Sequence, residues 1–298
     1  MESDTEQKSE WSSKRLLEWT SGHFAKAGVE QGRLCAEILL GHVLGCGRID
    51  LYVNFNYCPN PDQLSQFREL VRRCAGHEPT GYLTGKAYFY SLELAVRRAV
   101  LIPRPETETL VTEAIDFLRK QYHRPTVDVL DLGTGSGCIA IAIAANVIEA
   151  DVIATDHSRE ALEVARENIE SHDLKGRITL IESDLFDGMS QAQKQIFDLI
   201  VSNPPYISAE QFDKLDANVR DYEPREALLA GVGGLEYHQR IVEGAEGFLA
   251  DSGALMVEVA YDQAEQVVEL FEKSGYLDNI TTVKDHLGHH RVVRANKK

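Results

Sequence analysis

The chain has 298 residues, and 43% of them are hydrophobic, so it can form one large or two smaller soluble domains with a sizeable core. The net charge is −16, and residues 1–90 contain 10 basic and 11 acidic residues, so the negative excess lies beyond residue 90. Nucleic-acid binding normally needs a basic footprint, so this charge disfavours direct DNA binding and favours a protein partner. No apolar run reaches the roughly 18 residues of a spanning helix, so we expect no membrane binding.

The N-terminus and the cysteines indicate a cytoplasmic protein. Residues 1–12 are polar and acidic, which predicts a short disordered tail and not a signal or transit peptide. The five cysteines include no Cys-x-x-Cys pair, so neither a zinc site nor a disulfide framework is expected. His286, His289 and His290 flank Gly288 without a supporting carboxylate or cysteine pattern, which predicts a surface hairpin and no metal.

Apolar spacing divides the chain into two domains. Residues 13–77 are predicted to form a helical domain, with helices around 16–27, 34–44 and 64–71, and residues 78–97 a linker and a β-hairpin. Residues 98–298 alternate between predicted strands and predicted helices. Strands are predicted near 127–131, 152–155, 178–181, 197–202, 254–260, 279–283 and 291–293, and helices include 106–121, 138–144, 235–249 and 263–274. This alternation predicts an α/β fold with a mainly parallel, Rossmann-like, seven-stranded sheet, preceded by a small all-α domain.

A glycine-rich loop follows the strand predicted near residues 127–131. It reads Asp-Leu-Gly-Thr-Gly-Ser-Gly over residues 131–137 and precedes an apolar helix. Such glycines allow a tight turn and a close approach of the backbone to a nucleotide-like ligand at a helix N-terminus. The pattern alone also suits dinucleotides. We predict cofactor contacts from the residues of this loop, Gly133, Thr134, Gly135, Ser136 and Gly137.

The next two strands end in acidic residues. Asp156 lies about 20 residues beyond the loop, where a carboxylate can accept hydrogen bonds from both hydroxyls of a ribose. Asp184 can accept from an adenine amino group, and Leu185 can pack on the adenine ring. Asp184 can also be a helix N-cap, and the two roles are compatible.

Asn203, Pro204, Pro205 and Tyr206 follow the strand predicted over residues 197–202. An amide or aromatic amino nitrogen is a poor nucleophile, because its lone pair is delocalised. The Asn203 side-chain carbonyl and the Pro204 backbone carbonyl can accept from both of its N–H groups and aim it at a methyl donor. The prolines carry no competing N–H, and Tyr206 can provide an aromatic wall. With the glycine loop, these residues predict an S-adenosylmethionine-dependent N-methyltransferase, with Asn203, Pro204 and Tyr206 as the catalytic residues.

The sequence resembles the HemK/PrmC family of protein-(glutamine) N-methyltransferases over roughly residues 14–296. The resemblance rests on Pro-Arg-Pro-Glu-Thr-Glu at 103–108, the glycine loop at 131–137, Asn-Pro-Pro-Tyr at 203–206 and the segment from Tyr222 to Leu235. It implies transfer of a methyl group from S-adenosylmethionine to the glutamine side-chain amide in the Gly-Gly-Gln loop of class I peptide chain release factors. It further implies that Asn203 and Pro204 hold that amide, while the helical domain helps to dock the release factor. We expect a monomer.

Two questions remain open at the level of sequence. Arg104, Glu106 and Glu108 can line the substrate pocket or clamp a covering loop, but Pro105 and these acidic residues also suit the first turn of a helix. The alternative function is an adenine amino N-methyltransferase that acts on DNA or RNA, which would use Asn203 on a flipped base. That alternative predicts a basic recognition domain, and the sequence contains none.

Overall fold

The computed structural model describes residues 11–121 and 125–298. The chain divides into two compact units, Met1–Gly85 and Lys86–Lys298. Most of the predicted N-terminal tail lies outside the described residues. Within the described part, the Ser12 hydroxyl accepts a hydrogen bond from the Arg15 backbone and caps the first helix.

The described part of the first unit is helical. Its helices are α1 (Ser13–Ala27), α2 (Gly32–Leu44), α3 (Arg48–Val53), α4 (Pro61–Ala75) and α5 (Thr80–Thr84). The three predicted helices correspond to α1, α2 and α4, whose buried apolar residues include Leu17, Phe24 and Leu39. The short helices α3 and α5 span too few residues for a periodic pattern to reveal them.

Helix α5 corrects the predicted linker. Residues 78–85 belong to the helical unit, and α5 lies between Pro79 at its N-cap and Gly85, which ends it in the left-handed conformation with φ +72°. Proline and glycine are common in loops, but the same two residue types also mark the start and the end of a helix, as Pro79 and Gly85 do here.

The second unit begins with the predicted β-hairpin, which is confirmed. Strand β1 (Lys86–Phe89) pairs antiparallel with β2 (Leu92–Ala95). Tyr90 and Ser91 connect them with positive φ angles, as expected for the tight turn of a two-residue hairpin loop.

The main sheet of the second unit contains seven strands in the described residues. They are β3 (Val127–Leu132), β4 (Ala150–Asp156), β5 (Ile178–Glu182), β6 (Phe197–Ser202), β7 (Leu249–Glu258), β8 (Leu277–Lys284) and β9 (His290–Lys297). Their order is β5-β4-β3-β6-β7-β9-β8, and only β9 pairs antiparallel, with β7 and β8. The predicted α/β fold with a mainly parallel, seven-stranded sheet is confirmed.

The described residues of the second unit also form helices. They are α6 (Thr107–Gln121), α7 (Cys138–Asn146), α8 (Arg159–Ser171), α9 (Ala209–Phe212), α10 (Ala217–Arg220), α11 (Glu236–Ala245) and α12 (Ala264–Lys273). Apolar side chains form two buried clusters, one with α6 and α7 and the other with α11 and α12. None of the helices described is both long enough and apolar enough to cross a bilayer.

The strand order determines where a ligand can bind. Strand β3 pairs with β4 on one side and with β6 on the other, so the chain changes direction across the sheet at this strand. In open α/β sheets, ligands bind beyond the carboxyl ends of the strands at such a switch point. The glycine loop follows β3 and Asn203 follows β6, so both predicted motifs lie there.

Candidate functional site

A cavity lies at the carboxyl ends of β3, β4, β5 and β6. Most of the predicted site residues line it: Arg104, Gly133, Thr134, Gly135, Ser136, Asp156, Asp184, Leu185, Asn203, Pro204 and Pro205. The structure adds residues that sequence reasoning missed, among them Thr107, His157, Ser158, Glu226 and Tyr237. Gly137 and Tyr206 are not among its lining residues in the described structure.

The buried Asp131 carboxyl group anchors the glycine loop through hydrogen bonds. This residue of β3 is fully buried, and its Oδ2 accepts hydrogen bonds from the Thr134 hydroxyl at 2.6 Å and the Ala140 N–H at 3.2 Å. Burial raises the pKa of the Asp131 carboxyl to about 7, against the opposing effect of these two hydrogen bonds. The carboxyl group therefore joins the loop to the first turn of α7.

The glycines of the loop divide into two roles. Gly133 and Gly135 have φ angles of +73° and +55°, and a Cβ at either would meet no atom within 4 Å, so the backbone faces open space that a ligand can enter. A Cβ at Gly137 would lie 3.2 Å from Ile141 and 3.4 Å from Ala165. Gly137 therefore allows α7 to pack closely, which explains why it does not line the cavity.

Both carboxylate oxygens of Asp156 accept hydrogen bonds from backbone N–H groups. Its Oδ2 accepts from the Gly135 N–H and its Oδ1 from the Ser158 N–H, each at 2.9 Å. Because each carboxylate oxygen can accept more than one hydrogen bond, this side chain can still bind two ligand hydroxyls. The geometry is compatible with the predicted ribose contact.

Asp184 and Leu185 lie in a turn. The segment after β5 is not helical, so the predicted N-cap role of Asp184 is wrong. The Asp184 carboxylate instead pairs at 2.9 Å with Arg240, which stacks over Tyr237. Leu185 is buried and adopts the left-handed conformation, with φ +50°. The three cavity-lining residues Asp184, Leu185 and Tyr237 therefore offer a polar edge beside apolar surfaces.

Asn203 is oriented by a side chain from another helix. Its Nδ2 donates to the Thr107 hydroxyl oxygen at 3.0 Å, and Thr107 is the first residue of α6. The side-chain oxygen of Asn203 is thus left to accept a hydrogen bond. Pro204 is buried beside it in the cavity wall. This arrangement can bind a planar group that donates N–H bonds, as predicted from the sequence.

Tyr206 occupies a different place from the predicted cavity wall. Its backbone carbonyl accepts from the Gln263 side chain at 3.0 Å. Burial raises the pKa of its phenol well above the usual range, and the nearby Glu258 carboxylate adds to this effect. Tyr206 is therefore held through its backbone carbonyl, and sequence spacing could not reveal this contact.

Arg104 joins the segment before α6 to the segment before the short 3₁₀ turn Arg225–Ala227. It pairs at 2.6 Å with Glu223, whose carboxylate also accepts from the Ile102 N–H at 3.2 Å. Burial raises the pKa of the Glu223 carboxyl, although Arg104 opposes this. Glu106 and Glu108 do not line the cavity; Glu108 accepts from the Tyr90 N–H at 2.8 Å.

The predicted hairpin at the histidines is present between β8 and β9. Asp285 accepts there from the backbone N–H groups of Leu287 and His289. No group of three or more His, Cys, Asp or Glu residues in the described ranges, 11–121 and 125–298, could hold a metal ion.

Comparisons with known proteins match both units of the chain. The PrmC N-terminal domain matches residues 15–85, and the methyltransferase small domain matches residues 111–219. The release factor glutamine methyltransferase of Rhodopirellula baltica is 45% identical over 99% of both chains. That of Geobacter sulfurreducens is 43% identical over 97% of this chain and 98% of its own.

A likeness to a more distant solved structure concerns the fold alone. The hMettl16 catalytic domain, solved with a MAT2A 3′UTR hairpin, is 16% identical and has a TM-score of 0.55, covering 77% of this chain and 81% of its own. The two family models and the full-length relatives carry the stronger conclusion. The chain belongs to the release factor glutamine methyltransferase family and is an S-adenosylmethionine-dependent methyltransferase.

Proposed function

We propose that this protein methylates the side-chain amide nitrogen of the glutamine in the Gly-Gly-Gln loop of class I peptide chain release factors. The observation that carries the proposal is the Asn203–Thr107 hydrogen bond, which commits the Asn203 N–H₂ group and leaves its oxygen as an acceptor in the cavity. A glutamine side chain has one nitrogen, and its two N–H bonds suit this oxygen and the Pro204 carbonyl.

The residues beyond β3, β4 and β5 suit S-adenosylmethionine. The open space at Gly133 and Gly135 can receive its polar part, and the two oxygens of Asp156 can accept from ribose hydroxyls. Asp184 can accept from the adenine amino group, beside Leu185 and Tyr237. When bound, this cofactor supplies an electrophilic methyl group on a sulfonium.

The contribution of the protein to the reaction is mainly positioning. Two carbonyl oxygens align the weakly nucleophilic nitrogen with the methyl group, and such alignment can contribute roughly 7–11 kcal/mol in favourable cases. No general base is required, because an alkylated, protonated amide nitrogen is strongly acidic and loses its proton to water. Tyr206 supports the active-site segment at residues 203–206, since its backbone carbonyl accepts a hydrogen bond from Gln263.

The charge distribution supports a protein substrate over the alternative, adenine in DNA or RNA. Residues beyond 90 carry nearly all of the negative excess, and this portion contains the cavity. A nucleic acid would be repelled by this charge, whereas a release factor with a basic surface would be attracted. We infer that the protein acts in the cytoplasm as a monomer, with residues 13–77 contributing to release-factor docking.

The proposal is tested in cells that lack this protein. We expect mass spectrometry of their release factors to show a loss of one methyl group from the peptide that contains the Gly-Gly-Gln loop. Re-expression of the wild-type chain restores the methyl group, and re-expression of Asn203→Ala does not. An unchanged modification in the deletion strain would contradict the proposal.

A further inference from the structure

Three carboxylate side chains line the cavity, and they differ in how they are paired. Asp156 accepts from two backbone N–H groups, and Asp184 pairs with Arg240. The third, Glu226, makes no hydrogen bond or ion pair with any of the described residues, 11–121 and 125–298. Because Glu226 is also exposed, its carboxylate can accept hydrogen bonds from a ligand that enters the cavity.

The turn that carries this carboxylate is fixed at both ends. It is the 3₁₀ turn Arg225–Ala227, and Glu223, two positions before it, accepts from Arg104 at 2.6 Å. Directly after the turn, the Leu228 carbonyl accepts from the Ile207 N–H at 3.0 Å. Since the backbone is held in this way, little further freedom is lost when the carboxylate binds a ligand.

The turn lies on the substrate side of the cavity. The residues that suit the cofactor follow β3, β4 and β5, whereas Ile207 continues the Asn-Pro-Pro-Tyr segment after β6. Arg104, at the other anchor, precedes α6, whose first residue Thr107 orients Asn203. The two anchors of the turn therefore belong to the same two segments that hold Asn203, which places Glu226 on the wall that faces the substrate peptide.

The proposed substrate loop offers donors that suit a carboxylate without a partner. In Gly-Gly-Gln, the glutamine side chain is bound by Asn203 and Pro204, and the two glycines have no side chain to shield their backbone N–H groups. A peptide N–H that leaves water without finding an acceptor is costly. Hydrogen bonds to a carboxylate are roughly twice as strong as those between neutral groups, so Glu226 is a suitable acceptor.

We propose that Glu226 is a substrate-recognition residue, whose carboxylate accepts from a backbone N–H group of the two glycines that precede the methylated glutamine. This inference rests on the proposed function, because that function supplies the Gly-Gly-Gln loop. The glutamine side chain and the backbone before it are then bound by different segments, residues 203–204 and 225–227. Two such contacts restrict the loop to one orientation in the cavity.

The test compares the steady-state kinetics of the wild-type protein, Glu226→Ala and Glu226→Gln on an intact class I release factor. In Glu226→Ala, we expect KM for the factor to rise about ten- to a hundredfold, while kcat and the Kd for S-adenosylmethionine stay close to wild type. Glu226→Gln keeps an oxygen acceptor without charge, so its KM should lie between the two. The matched control is Glu265→Ala, which removes an exposed carboxylate of α12 that does not line the cavity and should leave KM unchanged.

A modified substrate identifies the donor. A semisynthetic release factor with sarcosine (N-methylglycine) in place of one loop glycine lacks that backbone N–H group. For one of the two glycines, we expect sarcosine to raise KM with the wild-type protein and to cause no further rise with Glu226→Ala, because the same hydrogen bond is already absent.

An unchanged KM in Glu226→Ala, or rises in KM that multiply for both sarcosine factors, would overturn the inference. Equal KM values for Glu226→Ala and Glu226→Gln that depend on salt would also overturn it, since they would indicate a cationic side chain of the substrate. A weaker Kd for S-adenosylmethionine in Glu226→Ala would assign the carboxylate to the cofactor instead. Wild-type protein that does not methylate the intact factor would contradict the proposed function itself.

Discussion

The Asn203 amide nitrogen lies 3.0 Å from the Thr107 hydroxyl oxygen, although 96 positions separate the two residues in the sequence. The contact joins the end of β6 to the first residue of α6. It links the Pro-Arg-Pro-Glu-Thr-Glu segment at residues 103–108 to the Asn-Pro-Pro-Tyr segment. Two motifs that are distant in sequence thus form one unit, in which the first orients the second.

Removal of the Asn203 side chain should abolish most of the activity. The Asn203→Ala variant loses the acceptor that aligns the substrate nitrogen, and loss of one such preorganised contact typically lowers kcat by about 10²–10³-fold. Single-turnover methyl transfer measures this loss. Asn218→Ala, a change in the exposed helix α10, should have wild-type activity. Near-normal turnover of Asn203→Ala would remove Asn203 from the mechanism.

Replacement of Asp156 by asparagine should weaken cofactor binding. Asparagine has one acceptor oxygen, so it cannot accept from both the Gly135 and Ser158 N–H groups as the carboxylate does. Hydrogen bonds to charged groups contribute about 1.5–3 kcal/mol, so we expect the Kd for S-adenosylmethionine to rise by about ten- to a hundredfold. Calorimetry measures this Kd. Asp151→Asn, exposed on the same strand, should bind normally, and equal affinities for both variants would contradict the role of Asp156.

Loss of the Arg104–Glu223 ion pair should destabilise the protein more at high pH than at low pH. The pKa of Glu223 is raised by burial even with Arg104 present, and Arg104→Met should raise it further. When the folded-state pKa of a carboxyl group lies above its unfolded value of about 4.3, its protonated form favours the folded state. This contribution to stability is present below the unfolded pKa and is lost as pH rises through the folded pKa. The variant should therefore be about 1–3 kcal/mol less stable than wild type near pH 8, and closer to wild type near pH 5.

Urea unfolding at these two pH values checks that difference. The matched control is Arg159→Met, which breaks a pair between Arg159 and Glu182 whose side chains are both exposed. Its effect should be small at either pH, because exposed ion pairs contribute little. A stability loss in Arg104→Met that is larger at the lower pH would show that Glu223 is not the group left unpaired.

The sequence predicted the elements that carry strong patterns. Strands β3 and β6 are almost fully buried and mostly apolar, as expected for central strands covered on both faces. The carboxyl ends of β3, β4 and β6 bring the glycines, Asp156 and Asn203 to one cavity. The short helices α3 and α5 were not predicted, because their six and five residues are too few to show a helical apolar period.

The supporting side chains were harder to predict than the cavity residues. Thr107 and Asp131 act through long-range or buried contacts, and a single sequence does not reveal which polar residues will be buried together. The hydrogen bond from Gln263, in the segment before α12, to the Tyr206 backbone carbonyl was not predictable either. Thr107 lies in the motif at residues 103–108, but nothing in the sequence identified Asn203 as its hydrogen-bond partner.

The most direct test of the account is transfer of a labelled methyl group by the purified protein to a purified class I release factor. We expect labelling of the intact factor, and none when the glutamine of its Gly-Gly-Gln loop is replaced by alanine. Labelling of oligonucleotides in place of the intact factor, or equal labelling of both factors, would contradict it.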